Sequence, residues 1–171
     1  MSEPIAVIEP AGPQGMVSLR ADLSDRAVAQ AVTAATGCAM PGPRRIVAAG
    51  GKAVAWMSPD ELLLLVPHAE APGVAAGLAE ALAGTHHLAT EVSDARAMFT
   101  IRGPGADDVV AKLCPVDVER LPEGEIRRTR AAQVAAALWR SGEGEISLVA
   151  FRSVAGYVER LLEVAAEGPR L

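Results

Sequence analysis

Few side chains here could bind a metal or attack a substrate, and their spacing works against both roles. His68, His86 and His87 make no His-x-His or His-Glu-x-x-His pair, and Cys38 and Cys114 make no Cys-x-x-Cys. The adjacent His86 and His87 point apart in an extended chain. Neither cysteine has a flanking His or Lys to lower its pKa, so both read as small packed side chains. Gly50-Gly51-Lys52 has the look of a phosphate loop, but Ile46 and Ala53 stand where that loop needs Gly and Ser or Thr. A hairpin turn is the expectation there. Gly103-Pro104-Gly105 lies where a dinucleotide fingerprint would lie, yet Asp108 replaces its third Gly, and acids near a helix start oppose an anion. Glu91, Asp94 and Arg96 form the most suggestive polar cluster, at the join between two halves of the chain. A carboxylate beside an Arg can orient a substrate or satisfy loop backbone. No catalytic residue and no metal ligand is predicted.

Composition narrows the classes further. The formal charge of −5 argues against a nucleic-acid role, since phosphate binding calls for a basic surface. At 171 residues the chain is read as one domain that needs no disulfide or metal to fold. Its core is thinly anchored, because 34 residues are Ala while the aromatic set is two Phe, two Trp and one Tyr. No basic-plus-apolar leader is read after Met1-Ser2-Glu3-Pro4, and the longest apolar stretch near the middle, Leu62 to Pro67, is far short of a membrane span. A cytoplasmic protein is expected.

The elements that must position these groups follow from periodicity. Met16–Arg20 alternates as a half-buried strand. Ser24 is read as the N-cap of a helix whose Val28, Ala31, Val32 and Ala35 share a face, with Gly37 closing it. Strands at Ile46–Ala48, Ala53–Trp56 and Leu62–Val66 follow, the last being the most buried. A helical stripe through Ala75, Leu78, Ala79 and Leu82 and a strand at His87–Val92 complete the half. The second half restarts with a Phe99–Ile101 strand, a short helix through Val109, Val110 and Leu113, and one long extended stretch, Thr129–Arg140. That stretch turns at Ser141–Gly144, returns as Glu145–Phe151, and leads to a helix capped by Ser153 and lined by Val154, Tyr157, Val158, Leu161, Leu162 and Ala165. This half lacks a last strand, which Ile5–Ile8 could supply.

The predicted class is therefore α+β: two ferredoxin-like β-α-β-β-α halves, about 16–93 and 97–166, with mostly antiparallel sheets in a single 1–171 domain. The repetition is read in the order of elements and not in residue identity. Trp56 and Trp139 can anchor either the core or an interface, and Arg44-Arg45 can meet an acidic partner or solvent.

Several phrases, in order, carry a family resemblance: Leu19-Arg20-Ala21-Asp22-Leu23-Ser24-Asp25, then Gly37-Cys38-Ala39-Met40-Pro41-Gly42-Pro43-Arg44-Arg45, then Ala55-Trp56-Met57-Ser58-Pro59-Asp60-Glu61-Leu62-Leu63-Leu64. Val92-Ser93-Asp94-Ala95-Arg96-Ala97, Gly103-Pro104-Gly105-Ala106, Cys114-Pro115-Val116-Asp117, Thr129–Val134 and Arg152–Tyr157 continue it. Together they resemble the gamma subunit of heterotetrameric sarcosine oxidase. The resemblance implies the folate-binding fold of the aminomethyltransferases and a non-catalytic structural place in a complex that oxidatively demethylates sarcosine to glycine. It implies alpha, beta and delta subunits as partners, with FAD, FMN, NAD, tetrahydrofolate and zinc held by those subunits and none by this chain. Arg44, Arg45 and Trp56 are then the interface candidates. The alternative is a stand-alone folate or one-carbon binding module, with Glu91, Asp94 and Arg96 as its site candidates. The related iron–sulfur maturation proteins carry a Lys-Gly-Cys box that neither Cys38 nor Cys114 occupies, which argues against that branch.

Overall fold

The computed structural model describes residues 3–169. In chain order the elements are β1 (Val7–Pro10), β2 (Gln14–Ala21), α1 (Arg26–Thr36), β3 (Ile46–Ala49), β4 (Lys52–Ser58), β5 (Glu61–Pro67), α2 (Ala71–Ala81), β6 (His87–Glu91), β7 (Arg96–Arg102), α3 (Ala106–Leu113), β8 (Ile126–Ala131), β9 (Val134–Gly142), β10 (Glu145–Phe151) and α4 (Ala155–Glu167). The chain divides into two compact units, Pro13–Ser93 and a second made of Met1–Gly12 with Asp94–Leu171.

The first unit is a five-stranded sheet in the order β3-β4-β5-β2-β6, every neighbour antiparallel. The four strands β4-β5-β2-β6 follow the ferredoxin-like order, and β3 adds a further edge strand beside β4. Val17 and Leu19 of β2, Val54 of β4 and Leu62, Leu64 and Val66 of β5 point to one face, where Val28 and Val32 of α1 and Leu78 of α2 cover them. β5 is buried along Glu61–Val66, with Leu63 and Leu65 buried on the opposite face from Leu62, Leu64 and Val66, and a strand buried on both faces reads as a near-continuous apolar run. Asp25, not Ser24, caps α1: its carboxylate accepts from the Ala27 N–H at 2.8 Å, while the Ser24 hydroxyl donates to Asp22. Gly37 closes the helix at φ 73°, a left-handed conformation that favours glycine.

The second unit has the order β1-β7-β10-β9-β8, again antiparallel throughout. Phe99, Ile101, Leu138, Ile146 and Leu148 face Val109 and Val110 of α3 and Val158 and Leu162 of α4. The long extended stretch is in fact two strands. β8 turns into β9 through Ala132, held at φ 49°, and without a Gly or Asn the sequence carries no signal for that turn. The last strand is Val7–Pro10, which lies along β7 with Val7 opposite Arg102 and Pro10 opposite Phe99. Ser153 falls in a single 3-10 turn before α4, and no side chain caps that helix.

Candidate functional site

Strand register converts the repeated topology into residue equivalences. β2 pairs Gln14 with Pro67 and Arg20 with Glu61; β7 pairs Arg96 with Phe151 and Arg102 with Glu145. Gln-Gly-Met-Val-Ser-Leu-Arg of β2 thus corresponds to Arg-Ala-Met-Phe-Thr-Ile-Arg of β7, and Glu-Leu-Leu-Leu-Leu-Val-Pro of β5 to Glu-Ile-Ser-Leu-Val-Ala-Phe of β10. In both units the strand-end Arg binds the opposing Glu, Arg20 to Glu61 at 3.1 Å and Arg102 to Glu145 at 2.9 Å. Residue identity does repeat, but only after the sheet register aligns segments that are spaced differently in sequence.

Groups that serve the common fold recur in both units, so departures from the repeat mark the candidates for a role peculiar to this chain. Glu91 and Ser93 are such a departure, because Pro10 and Gly12 stand in their places along β1. The Ser93 N–H donates to Glu91 Oε1 at 3.0 Å, and the buried Ser93 Oγ accepts from the Met16 N–H at 2.9 Å. The Ser93 hydroxyl and then its N–H hold the Glu91 carboxyl below the usual carboxylate range, with His68 adding in the same direction. The result is an ionised, half-buried acceptor for N–H donors. Ser93 is unfit as a nucleophile, since its hydroxyl is buried and engaged.

The other sequence candidates are placed as follows. Asp94 is exposed in the 3-10 turn Ser93–Ala95, and it falls with Arg96 in the second unit while Glu91 falls in the first. The Arg96 guanidinium lies over the half-exposed Phe151 ring, 4.3 Å from its centroid. Arg44 and Arg45 are exposed in the turn before β3, with Arg44 at φ 60°, a strained conformation for a bulky residue. Trp56 packs partly buried against the first unit's core, and its backbone N–H donates to Arg45 O at 2.9 Å. Its counterpart by register is Arg140, whose guanidinium forks onto both Asp107 oxygens at 2.9 and 2.7 Å and donates to the carbonyls of Val118 and Leu121. The sequence reading missed Arg140, because its partners lie far away in sequence.

The two glycine loops resolve into packing. Gly50 and Gly51 have φ 57° and 79°, the turn of the β3–β4 hairpin, and Lys52 Nζ is held by Glu70 at 2.7 Å. At the start of α3 the Gly105 N–H donates to Ile5 O at 3.0 Å, and a Cβ on Gly105 would lie 2.6 Å from that oxygen. The close approach that a pyrophosphate makes in a dinucleotide site is made here by the chain's own Ile5. Cys38 and Cys114 are both buried, and burial pushes the Cys114 thiol up to about 11. His87 Nδ1 contacts Thr85 O at 2.8 Å, and among the described residues no three His, Cys, Asp or Glu side chains converge on a metal position. No helix among them is long and apolar enough to cross a membrane.

Comparison with known proteins agrees with this geometry. The model of the "Sarcosine oxidase, gamma subunit family" matches residues 20–167. The sarcosine oxidase subunit gamma of Arthrobacter sp is 37% identical over 117 residues, which is 66% of this chain and 57% of that protein. The subunit of the same name from Corynebacterium sp. (strain U-96) is 35% identical over 117 residues, 66% of this chain and 56% of its own length. The chain therefore spans little more than half the length of these curated relatives. Among solved structures, the heterotetrameric sarcosine oxidase from Corynebacterium sp. U-96, in complex with pyrrole 2-carboxylate, matches with a TM-score of 0.87 at 24% identity, over 100% of this chain and 90% of that chain. The glycine cleavage system aminomethyltransferase T from Bartonella henselae matches at 0.68 and 12% identity, over 94% of this chain and 46% of that one. Both likenesses confirm the α+β fold of two antiparallel sheets.

Proposed function

Because this chain belongs to the sarcosine oxidase gamma subunit family, we propose that it is a non-catalytic structural subunit of a heterotetrameric, flavin-dependent sarcosine oxidase. The match of the family model across both units carries this reading. Its partners are then the alpha, beta and delta subunits, and FAD, FMN, NAD, tetrahydrofolate and zinc belong to them. The strained, exposed Arg44 with Arg45, in the turn that leads into the edge strand β3 and beside Trp56, offers two positive charges for an acidic surface of a partner. Co-expression of the four chains with a tag on this one tests the idea. The flavin-carrying subunits should co-purify with it, and the Arg44→Glu, Arg45→Glu double variant should lower their recovery. A tagged chain that elutes alone at every expression ratio defeats the proposal.

A second reading rests on the ionised Glu91, which has no counterpart in the other unit. A carboxylate of this kind can hold the N–H donors of a pterin ring, and the chain would then be a folate or one-carbon binding module, with Asp94 and Arg96 as further candidates. Titration of the isolated chain with tetrahydrofolate decides it. Saturable binding that Glu91→Gln weakens favours the module, and a flat titration removes it.

A further inference from the structure

The outer hairpin of the second unit differs from its counterpart in length and in charge. Leu64 of β5 lies opposite Val54, and Leu148 of β10 opposite Leu138, so Val47 of β3 corresponds to Arg127 of β8 and Ala48 to Arg128. The β3–β4 ladder stops at Ala49 opposite Lys52, the equivalent of Thr129 opposite Ala136. β8 and β9 run on for two more pairs, Arg130 with Ala135 and Ala131 with Val134. The apolar outer strand of the first unit is thus matched by a longer one with three Arg.

Register brings these groups together on one face. Val149, Ala137 and Arg128 lie side by side, and alternation puts Phe151, Ala135 and Arg130, two residues along each strand, on that same face. Arg96 is opposite Phe151, and its guanidinium lies over that ring. The face is the one turned away from α3 and α4, which cover Ala97, Ala136, Leu138 and Ala150 on the other side. Arg128, Arg130 and Ala135 are exposed, and Phe151 is 46% exposed although only five residues of the chain are aromatic. Arg96 and Arg130 stand three strand spacings apart, about 14 Å, with Phe151 and the small Ala135 between them. β7, β8 and β9 carry no acid, and Glu145 of β10 lies at the other end of its strand with Arg102. In the first unit Gln14 and Pro67 stand in the places of Arg96 and Phe151, and the Gln14 amide donates back to Val66 O at 2.7 Å.

We propose that this platform docks an acidic surface of another subunit, with an apolar side chain of the partner seated over Ala135 beside Phe151 and its carboxylates on Arg128 and Arg130. Charge complementarity selects the occupant. A second copy of the chain would bring Arg against Arg, and a phosphate polymer would meet a chain of net charge −5. An exposed Phe with a guanidinium stacked on it and further Arg around it has the composition of an interface anchor, where aromatic and Arg side chains carry most of the binding energy. The inference rests on the subunit reading and deepens it, by naming the face that meets the partner and the partner's chemistry.

Titration of the full chain against the purified flavin-carrying subunits tests it. The double variant Arg128→Glu, Arg130→Glu and the single variant Phe151→Ala are compared with Arg120→Glu, a control in the loop before β8 whose side chain is 88% exposed. Charge reversal should weaken the association roughly tenfold or more and Phe151→Ala about five- to tenfold, while the control stays within about twofold. A second readout needs no variant. Phenylglyoxal labelling of Arg128 and Arg130, read by mass spectrometry, should fall on assembly of the wild-type complex while Arg120 stays labelled. Labelling that is undiminished in the complex, or charge reversal without loss of affinity, overturns the proposal and leaves the subunit reading in place. A wild-type chain that binds none of those subunits defeats both. Self-association of the isolated chain that charge reversal abolishes would give the face to a second copy and overturn the proposal as well.

Discussion

Arg20 and Arg102 occupy the same place in two copies of one topology, and each bridges two carboxylates. The first unit draws both acids, Asp60 and Glu61, from a single turn and strand. The second draws Glu145 from the equivalent strand and Glu9 from a segment more than ninety residues away in sequence. Thr90 in β6 is the counterpart of Glu9, and Gly144 that of Asp60, so the acid has changed strands while the Arg has stayed. The comparison teaches that register and charge count are kept while the source of each group is free to move. It also shows where the second unit depends on a distant piece of chain and the first does not.

The sharpest test of equivalence lies in the cores. Leu64 and Leu148 are fully buried at matching positions of β5 and β10. Truncating either to Ala should destabilise by about 2–5 kcal/mol through lost burial and the cavity left behind. Denaturant titration should give similar losses for Leu64→Ala and Leu148→Ala. A loss near zero at one site would break the correspondence that the register implies.

A second test exploits a difference. Where the first unit has Trp56, the second has Arg140 gripping Asp107 and two loop carbonyls. Arg140→Ala should cost about 2–3 kcal/mol, since it strands a half-buried carboxylate and two carbonyl acceptors. The Arg140→Lys variant should recover only part of this, because an ammonium cannot reproduce the fork. Hydrogen exchange should then rise in the loop around Val118 and Leu121 and stay unchanged in the first unit. Protection lost equally in both units would show that Arg140 is no local pin.

Much of this fold was legible in the sequence because the local signals agree with it. Val28, Ala31 and Val32 repeat at helical spacing, Leu62–Val66 announces a buried strand, and Gly50-Gly51 marks the β3–β4 hairpin. The illegible parts are those where the cause is distant or the signal is missing. Ala132 turns a hairpin without turn chemistry, because the flanking β8–β9 ladder imposes the conformation. The Gly103–Gly105 loop has two glycines of a dinucleotide fingerprint but Asp108 in place of the third, which argues against a ligand; that Gly105 does make a close approach, to Ile5, is visible only in the structure. Glu91 was picked out by residue type. That its carboxyl is held below the usual range depends on Ser93, which the Met16 N–H, seventy-seven positions away, fixes in place.

Gly105 should be the next most sensitive position. A methyl there meets the Ile5 carbonyl at 2.6 Å and the Ile5 Cβ at 2.7 Å, too close for either to stay. Gly105→Ala is expected to cost about 1–3 kcal/mol by overpacking. Adding Ile5→Gly should restore only the part due to the side chain, because the carbonyl clash is with backbone. Full rescue in denaturant titration of the double variant would show that the Ile5 side chain alone sets the spacing.

The smallest expected effect separates the two Arg sites by pH. In the second unit the Ser141 hydroxyl, then Arg102, hold Glu145 below its ordinary value of 4.5. In the first, the depressed acid of the turn is Asp60, held down by the Ser58 hydroxyl and then by Arg20. A depressed carboxyl contributes stability above its unfolded pKa and loses it as pH falls through the lower folded value. The Glu145 contribution is therefore complete above about pH 4.5 and fades below it. Ser141→Ala removes the largest cause, so the midpoint for Glu145, followed by carboxyl NMR, should move up towards 4.5 while that of Asp60 stays in place. The matching Ser58→Ala should move Asp60 alone. If either substitution shifted both acids, the two turns would be coupled electrostatically, and the picture of two units each balancing its own Arg would fail.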